Sequence, residues 1–383
     1  MPAWPEPELE TGAYVQDVTT STAVVAMITS GKVTLEATLE GAGGTRLASD
    51  TAPRRRHALA FAGLAAGSEY AYVVREKAGA VRDRGSFRTA PAGADAKVRF
   101  CVVGDSGSTP PWIWMQRAPA VRAMAALSLL PGSSRNQAIG AAMAAERPDF
   151  WLHVGDVVYP HGEEKHYREA FFRPFAELLR HAPCFPVLGN HDLGNDPDYD
   201  DGGRPYLRSF VLPAGATTGD ERCYSFAWGP IRLIALDLHP LAPLPTVTED
   251  HPALEHLRKE LAAATEPWKI VYGHPPLWSG SRQGRGRPEL LKLVKPLLEQ
   301  AKVDVYLAGH DHVYQRFKTP GGLVQVVSGG GGKSLYELVD HPWLEAAAAE
   351  YHYCIVEVEG SELRLRALTA GGKQLDEFVI HKH

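Results

Sequence analysis

The chain of 383 residues contains little cysteine and no excess of basic side chains. Its four cysteines have no CxxC spacing, so we interpret them as small buried apolar residues, with a disulfide pair as the alternative. The 45 acidic residues outnumber the 40 basic ones, and the net charge of −5 argues against a nucleic-acid-binding surface. An apolar stretch of transmembrane length is also missing, so we expect no membrane span.

The composition is otherwise that of an ordinary globular protein, with 44% hydrophobic and 22% charged residues. A chain of this length can form two domains. The first ten residues are acidic and proline-rich, unlike a secretory signal, so we expect either an intracellular protein or one whose leader has been removed. Cysteine usage does not distinguish these two compartments.

The most informative pattern is a run of apolar residues that ends in glycine and leads directly into a metal-binding residue type. It occurs five times, and the residues after the glycine are Asp105, Asp156, Asn190, His274 and His310. Each run has strand length and is rich in Val, Ile and aromatic residues, which predicts a buried strand. Ligands in layered α/β proteins bind beyond the carboxyl ends of strands, where glycine allows sharp turns and close backbone approach. We therefore expect the five segments to converge on one edge of the fold as the metal site of a hydrolase.

The two parts of the chain have different patterns. Residues 12–90 alternate apolar and polar side chains between Gly and Pro, which is typical of a β-sandwich. Within this part, the run Arg54–Arg56 predicts a solvated turn, and residues 89–96 after it predict a linker. From Lys97 onward apolar strands alternate with helical segments, and residues 223–237 predict a hairpin. The predicted helices are Ala118–Leu129, Gln137–Ala145, Glu163–Arg180, Ala253–Ala264 and Pro288–Gln300.

The side chains that follow the five runs suit a pair of metal ions. Paired ions in hydrolases lie about 3.5–4 Å apart and need a bridging anionic ligand together with several terminal ligands. The available donors are the carboxylates of Asp105 and Asp156, the amide of Asn190 and the imidazoles of His274, His310 and His312. The last two histidines would share a face in an extended segment, whereas in a tight loop after Gly309 they can diverge toward two different ions.

The motif order GD, GDxxY, GNHD, VxxH and GHxH, from Asp105 to His312, resembles the metallophosphoesterases of the calcineurin-like group. Within that group it is similar to the purple acid phosphatases, because Tyr159 completes GDxxY and Gly107 stands where other members carry a histidine. Residues 64–72 resemble the corner of a fibronectin type III domain, which precedes the catalytic domain in larger purple acid phosphatases. The resemblance implies an α+β protein with an N-terminal all-β sandwich over residues 1–94 and a four-layer αββα sandwich over residues 95–383.

The resemblance also implies which residues bind metal. It assigns a first ion, typically ferric iron, to Asp105, Tyr159 and His312. It assigns a second ion, typically zinc, manganese or ferrous iron, to Asn190, His274 and His310, with Asp156 as the bridge. A phenolate suits a trivalent ion, because a free tyrosine titrates near pH 10 and only a strong Lewis acid keeps it ionised at lower pH. Two imidazoles and an amide suit a divalent ion.

The implied reaction is the hydrolysis of phosphomonoesters, as in acid phosphatases, by in-line attack of a metal-bound hydroxide at phosphorus. The expected partner is a small phosphate ester. Catalysis is then expected to involve Asp156 and His191, where His191 binds a phosphate oxygen or protonates the leaving group and Asn190 adds a substrate contact. Asp192 is an expected orienter of the site. The family resemblance favours export, and the sequence predicts no oligomeric state.

The loop after His274 departs from the family pattern. Related phosphatases carry a histidine near Arg282, and this sequence has none there. Arg282 can bind phosphate bidentately, which makes it a candidate substrate-binding residue, and a solvated loop is the alternative. Because arginine stays charged, it is a poor proton donor, and leaving-group protonation shifts toward His191.

Two weaker signals flank the motifs. Pro110–Trp114 predicts either an apolar rim for an organic leaving group or core packing. Gly329–Gly332 superficially resembles a nucleotide-binding loop, but Val327 stands where that loop needs its first glycine. The better interpretation of the glycine run is a turn beneath the metal site.

Three other functions are compatible with parts of the sequence. A phosphodiesterase or nucleotide pyrophosphatase would use the same ligands, since pocket shape decides between these substrates. A generic metallophosphoesterase would hold two divalent ions and no iron. A binding or adhesion protein would use the β-sandwich alone, and the complete ligand set argues against it.

Overall fold

The computed structural model describes residues 10–77, 79–107, 134–193, 202–215, 219, 221–238, 249–282 and 287–382. The predicted helix Ala118–Leu129 and the predicted rim Pro110–Trp114 lie outside these residues. Elsewhere the chain forms an N-terminal domain of β-sheets followed by an α/β domain, so the predicted α+β class is confirmed. The predicted boundary between residues 94 and 95 stays a prediction.

The N-terminal domain consists of antiparallel strands in two sheets. The strands are Tyr14–Gln16 (β1), Thr22–Val33 (β2), Leu35–Gly41 (β3), Gly44–Ser49 (β4), Arg54–Ala62 (β5), Glu69–Glu76 (β6) and Val81–Arg88 (β7). The sheet orders are β1-β2-β5 and β4-β3-β6-β7. In β6, Tyr70, Tyr72 and Val74 are buried while their neighbours face outward, as the period of two predicts. Both sheets bury these apolar faces in one core.

The run Arg54–Arg56 corrects one expectation, because it begins β5 and does not form a turn. Arg56 reaches across to the second domain. Its guanidinium lies 2.7 Å from Glu164 Oε1 and donates to the backbone oxygen of Arg208. The run therefore contributes to the contact between domains, and a sequence pattern of three like charges does not reveal such a distant partner.

The second domain contains two larger mixed sheets. Its strands are Val98–Val103 (β8), Phe150–His153 (β9), Cys184–Pro186 (β10), Tyr224–Trp228 (β11), Ile231–Leu236 (β12), Trp268–Gly273 (β13), Val305–Ala308 (β14), Tyr314–Lys318 (β15), Val324–Ser328 (β16), Leu344–Ala348 (β17), Tyr353–Glu359 (β18), Glu362–Leu368 (β19) and Gln374–His381 (β20). The sheet orders are β10-β9-β8-β18-β19-β20 and β11-β12-β13-β14-β16-β15-β17. The predicted hairpin is confirmed as the antiparallel pair β11 and β12.

The helices among the described residues of this domain are Ser134–Ala145 (α1), Glu164–Tyr167 (α2), Ala176–His181 (α3), Arg204–Ser209 (α4), Pro252–Ala263 (α5), Pro288–Leu293 (α6) and Lys295–Gln300 (α7), with a π-helical turn at Arg168–Phe172. The predicted helix Glu163–Arg180 is thus interrupted. Pro174 lies between the π-helical turn and α3. Because proline has no N–H to donate, it cannot make the hydrogen bond that would continue the helix through this position. The predicted helix Pro288–Gln300 is likewise two helices that meet at Val294.

Aromatic side chains fill the space between the two large sheets. Phe150 of β9 lies 4.7 Å from Phe100 of β8, and 5.7 and 4.8 Å from Phe226 and Trp228 of β11, measured between ring centroids. The next residue, Trp151, points to the other face of its sheet and packs on the helical segment around Phe171. α5, α6 and α7 pack on the outer face of the second sheet. The layers are therefore helix, sheet, sheet and helix, as the resemblance implied.

The two domains pack through polar contacts to backbone oxygens. Tyr14 donates to Ser209 O at 2.9 Å, and Tyr72 donates to Arg180 O at 3.1 Å.

All four cysteines are buried and free, which confirms their interpretation as small core residues. Among the described residues, no helix has the length and apolarity that crossing a membrane requires.

Candidate metal centre

Strand ends from both large sheets meet at one site. β8, β9 and β10 are adjacent and parallel in one sheet, and β13 and β14 are adjacent and parallel in the other. All five predicted runs form these strands, whose residues are buried apart from the half-buried Arg99 and Lys269. Seven side chains that follow them are linked by direct contacts, namely Asp105, Asp156, Tyr159, Asn190, His274, His310 and His312.

The loops at these strand ends turn sharply because three site residues adopt left-handed backbone. The φ angles are 55° at Asp105, 53° at Asp156 and 70° at His310. Residues with a side chain rarely occupy this region, and the cost of about 1–3 kcal/mol is typical of functional sites. The preceding glycines allow close approach, and Gly155 also has a positive φ of 90°. A Cβ at Gly155 would lie 2.4 Å from His274 Nδ1.

One cluster of donor atoms surrounds the Tyr159 hydroxyl. This oxygen lies 2.7 Å from Asp156 Oδ2, 3.0 Å from Asp105 Oδ1 and 3.2 Å from His312 Nε2. One ligand atom from each of Asp105, Asp156 and His312 lies within 4.8 Å of the others. All four residues are buried. The cluster therefore offers two carboxylates, a phenol and an imidazole around one point.

A second cluster lies on the other side of Asp156. His310 Nδ1 is 3.1 Å from Asn190 Oδ1 and 3.3 Å from His274 Nε2. His274 Nε2 is in turn 3.3 Å from Asp156 Oδ1. The two oxygens of Asp156 thus face different clusters. Asn190 and His310 are only half-buried, so this side of the site is the more open one.

Backbone carbonyls orient two of the histidines toward the clusters. His274 Nδ1 lies 2.8 Å from Val154 O, and His312 Nδ1 lies 2.8 Å from Ser334 O. A carbonyl oxygen only accepts, so each Nδ1 carries a proton and each Nε2 is the nitrogen that faces the cluster. Metal-binding histidines are commonly held in this way. Each Nε2 faces a carboxylate oxygen, an arrangement that either a proton or a metal cation between the two atoms satisfies.

The pKa shifts of the site residues also indicate that the buried carboxylates favour a cation beside them. Burial lowers the pKa of His274, but the Asp156 carboxylate outweighs burial and raises that pKa to about 9. Burial and the carboxylates of Asp105 and Asp156 together raise the pKa of Tyr159 well above its usual value. Burial, with the nearby His274, lowers the pKa of His310 to about 3. Ionised Tyr159 beside two carboxylates needs a strong cation, so the donor set fits a pair of metal ions.

His191 and Asp192 support the site in different ways. The His191 ring lies 4.3 Å from the Tyr159 ring, between centroids, with Nδ1 2.8 Å from Pro160 O and Nε2 4.0 Å from Asp156 Oδ2. The Asp192 carboxylate accepts hydrogen bonds from the backbone N–H groups of Val157 and Gly189. It therefore connects the loop after β9 with the loop after β10. The sequence analysis expected Asp192 to orient the site, and the groups that its carboxylate holds are backbone N–H groups.

Arg282 lies apart from the seven linked side chains. Its guanidinium is 3.0 Å from Glu337 Oε1, and 67% of the side chain is exposed. Its backbone N–H donates to Glu337 O at 2.8 Å. Its role in substrate binding stays a prediction.

The glycine run after β16 lies against the first cluster, as the sequence predicted. A Cβ at Gly329 would lie 2.9 Å from Asp105 Oδ2, and Gly331 N donates to Gly104 O at 3.0 Å. Two residues that follow it were missed by sequence reasoning. Lys333 Nζ lies 4.3 Å from the centroid of the Tyr159 ring, and the Tyr336 ring stacks on His312 at 4.2 Å. The one sequence signal that could have identified these two residues is their position directly after a glycine turn.

Backbone atoms fill the space beside Gly107. The family resemblance in the sequence implied that this glycine replaces a metal-binding histidine. A Cβ at Gly107 would lie 2.6 Å from Val158 Cα and 2.8 Å from Val157 O. The GDxxY loop that carries Tyr159 therefore occupies the space that a side chain at residue 107 would need.

Comparison with known proteins agrees with this geometry. Residues 98–314, more than half of the chain, match the family model described as Calcineurin-like phosphoesterase. Tartrate-resistant acid phosphatase type 5 of Sus scrofa is 30% identical over 329 residues, which cover 78% of this chain and 90% of the relative. Purple acid phosphatase 4 of Arabidopsis thaliana is 26% identical over 265 residues, which cover 61% of this chain and 74% of the relative.

Solved structures share the fold of both domains. Purple acid phosphatase PPD1 from yellow lupin (Lupinus luteus) seeds has a TM-score of 0.78 at 19% identity, covering 99% of this chain and 75% of that one. The structure of PhoD has a TM-score of 0.70 at 12% identity and covers 100% of this chain. Together with the sequence relatives and the motif order, these matches show that the chain belongs to the calcineurin-like phosphoesterase family, as a purple acid phosphatase-like metallophosphoesterase.

Proposed function

We propose that the protein is a phosphomonoesterase of the acid phosphatase type that works with two metal ions. The observation that carries the proposal is Asp156, whose two carboxylate oxygens face two separate donor clusters. A single carboxylate shared in this way is what a close pair of ions needs. The relatives that are named acid phosphatases support the choice of a phosphomonoester as substrate.

The donor types divide the ligands between the two ions. We propose that the first ion is held by Asp105, Tyr159 and His312 and the second by Asn190, His274 and His310, with Asp156 as the bridge. When bound, the ions supply the Lewis acidity that activates water and neutralises charge on the phosphoryl group. The phenol favours ferric iron at the first position, because its two carboxylate neighbours oppose ionisation in the absence of a strong cation. The second position favours a divalent ion such as zinc, manganese or ferrous iron.

His191 is proposed to act on the substrate. Its Nδ1 is held by Pro160 O, so its Nε2 is the atom directed toward the site beside Asp156. A protonated Nε2 can donate to a phosphoryl oxygen or pass its proton to the leaving-group oxygen. Asn190 lies on the same open side, where its amide can contact both the second ion and the substrate.

The test combines turnover with metal analysis. The purified protein is assayed with p-nitrophenyl phosphate and with bis(p-nitrophenyl) phosphate, before and after treatment with a chelator. We expect faster hydrolysis of the monoester, loss of activity with the chelator, and two metal equivalents by elemental analysis. Preference for the bis-ester would indicate a phosphodiesterase, and full activity in metal-free protein would contradict the proposal.

Tyr159→Phe tests the identity of the first metal. If iron is bound to the phenolate, the protein has a visible charge-transfer band, and the variant loses it because phenylalanine has no oxygen donor. Tyr206→Phe is the matched control, since its buried hydroxyl donates to Pro186 O outside the clusters. An iron-free, colourless and fully active protein would instead indicate two divalent ions.

A further inference from the structure

The segment after the glycine run, Lys333 to Tyr336, forms a wall of the metal centre. Lys333 N–H donates to Asp105 O at 3.1 Å, and Tyr336 N–H donates to His312 O at 3.2 Å. Ser334 O accepts from His312 Nδ1 between these two contacts. The backbone of this segment is therefore fixed against two proposed ligands of the first ion.

Lys333 directs its side chain along this wall toward the site. Its ammonium nitrogen lies 4.3 Å from the centroid of the Tyr159 ring, and the Tyr159 hydroxyl lies 2.7 Å from Asp156 Oδ2. Tyr159 is fully buried, whereas Lys333 is half-buried. The lysine therefore brings a positive charge to the boundary between the buried donors and the solvent.

This position matters because the expected phosphate-binding side chain is missing from the loop after His274. Arg282, the sequence candidate for that task, is mostly exposed and paired with Glu337. Lysine is a compact cation with three donors and binds phosphate oxygens as a point charge. Its long side chain can hold the ammonium group near substrate while its backbone stays anchored.

We propose that Lys333 binds a phosphoryl oxygen of the substrate and so determines affinity for the phosphate group. This inference rests on the proposed phosphatase function. Lys333 and His191 both lie beside Tyr159, so together they would supply two cationic or hydrogen-bonding contacts to the phosphate. Both the phosphate-ester substrate and the product phosphate would make this contact with Lys333.

The test measures phosphate binding directly as well as turnover. Inorganic phosphate is titrated calorimetrically into the metal-loaded wild type, Lys333→Met and Lys333→Arg, and KM and kcat are measured with p-nitrophenyl phosphate. Methionine keeps the length of the side chain and removes the charge. We expect about tenfold weaker phosphate binding and a similar rise in KM for Lys333→Met, with partial recovery in Lys333→Arg.

Metal content, melting temperature and the visible spectrum separate substrate binding from a structural role. Lys373→Met is the matched control, because Lys373 is exposed and its ammonium group pairs with the Glu350 carboxylate. We expect both methionine variants to keep their metal and their spectrum. Unchanged phosphate affinity in Lys333→Met, or loss of affinity explained by loss of metal, would overturn the inference.

The two proposals fail in different ways. If the wild type binds phosphate but does not hydrolyse the monoester, the proposed function fails, and the calorimetric comparison alone judges Lys333. If the wild type hydrolyses the monoester and Lys333→Met binds phosphate equally well, only the inference fails. If the wild type binds no phosphate, the inference fails whatever the turnover.

Discussion

Two buried histidines, one in each domain, have opposite surroundings. In the N-terminal domain, His57 Nδ1 lies 2.6 Å from Asp50 Oδ2, and His57 Nε2 lies 3.0 Å from the Thr29 hydroxyl. Asp50 Oδ2 also accepts from Leu35 N–H. In the second domain, His274 has its Nδ1 on a carbonyl and its Nε2 against a carboxylate and a second imidazole.

The difference separates a structural polar cluster from a metal site. Around His57 the hydroxyl can donate or accept, so every polar atom finds a complementary partner within the protein. Around His274 acceptor atoms converge on one point, and a proton or a metal ion must balance them. Burial alone therefore does not identify a functional histidine, whereas the convergence of lone pairs does.

The largest expected effect comes from the carboxylate shared by both clusters. In Asp156→Asn, the proposed bridge loses its charge, so we expect kcat for p-nitrophenyl phosphate to fall on the order of 10²–10³-fold together with metal content. Turnover and elemental analysis are measured together. Asp340→Asn serves as the control, because Asp340 is exposed. An Asp156→Asn protein that keeps both metals and most of its activity would contradict the inferred difference between the structural His57 cluster and the metal site around His274.

A smaller effect, of a different kind, is expected from His57→Ala. The substitution leaves the buried Asp50 carboxylate without its imidazole partner, so the free energy of unfolding should fall by about 1–3 kcal/mol. We expect kcat/KM to stay within about twofold of the wild type, since the pair lies in the other domain. Urea unfolding and steady-state kinetics check the two parts. Lost activity with unchanged stability would show that the cluster does more than hold the β-domain.

The smallest effect is expected from Arg282→Ala. Its side chain is mostly exposed, and an exposed ion pair with the substrate phosphate would contribute about 0–1 kcal/mol, so KM should rise by about fivefold at most. Glu337→Ala is the informative companion, because it removes the acidic partner and leaves the guanidinium free to move. A tenfold rise in KM for Arg282→Ala, with a lower KM for Glu337→Ala, would favour a direct phosphate contact by Arg282.

Sequence reasoning reached the proposed metal ligands because each follows a strand that could be recognised locally. The run before Asp156 and the run before His274 are short, apolar and ended by glycine, so strand, turn and donor are read from adjacent positions. The same holds for the alternating strands of the N-terminal domain. Parallel strands place their carboxyl ends together, and this topology explains why distant donors meet.

The rest of the site depends on contacts that no local pattern contains. Lys333 meets Tyr159, and Ser334 meets His312, through the path of the chain after β16. The lysine in a glycine-rich segment is compatible with many loops. Similarly, Arg56 acquires its role from Glu164 in the other domain. Predictions of this kind need the packing of sheets and domains, which a single sequence does not supply.

The aromatic layer between the large sheets has a consequence for tuning the enzyme. Each donor cluster takes side chains from both sheets. The thickness of the aromatic layer therefore affects the distance between donor atoms in both clusters. We expect a smaller residue at Phe150 to leave a cavity in this layer and to change the spacing of the two donor clusters, although Phe150 touches none of the proposed ligands. Core residues that contact none of the proposed ligands can therefore influence the geometry of the site.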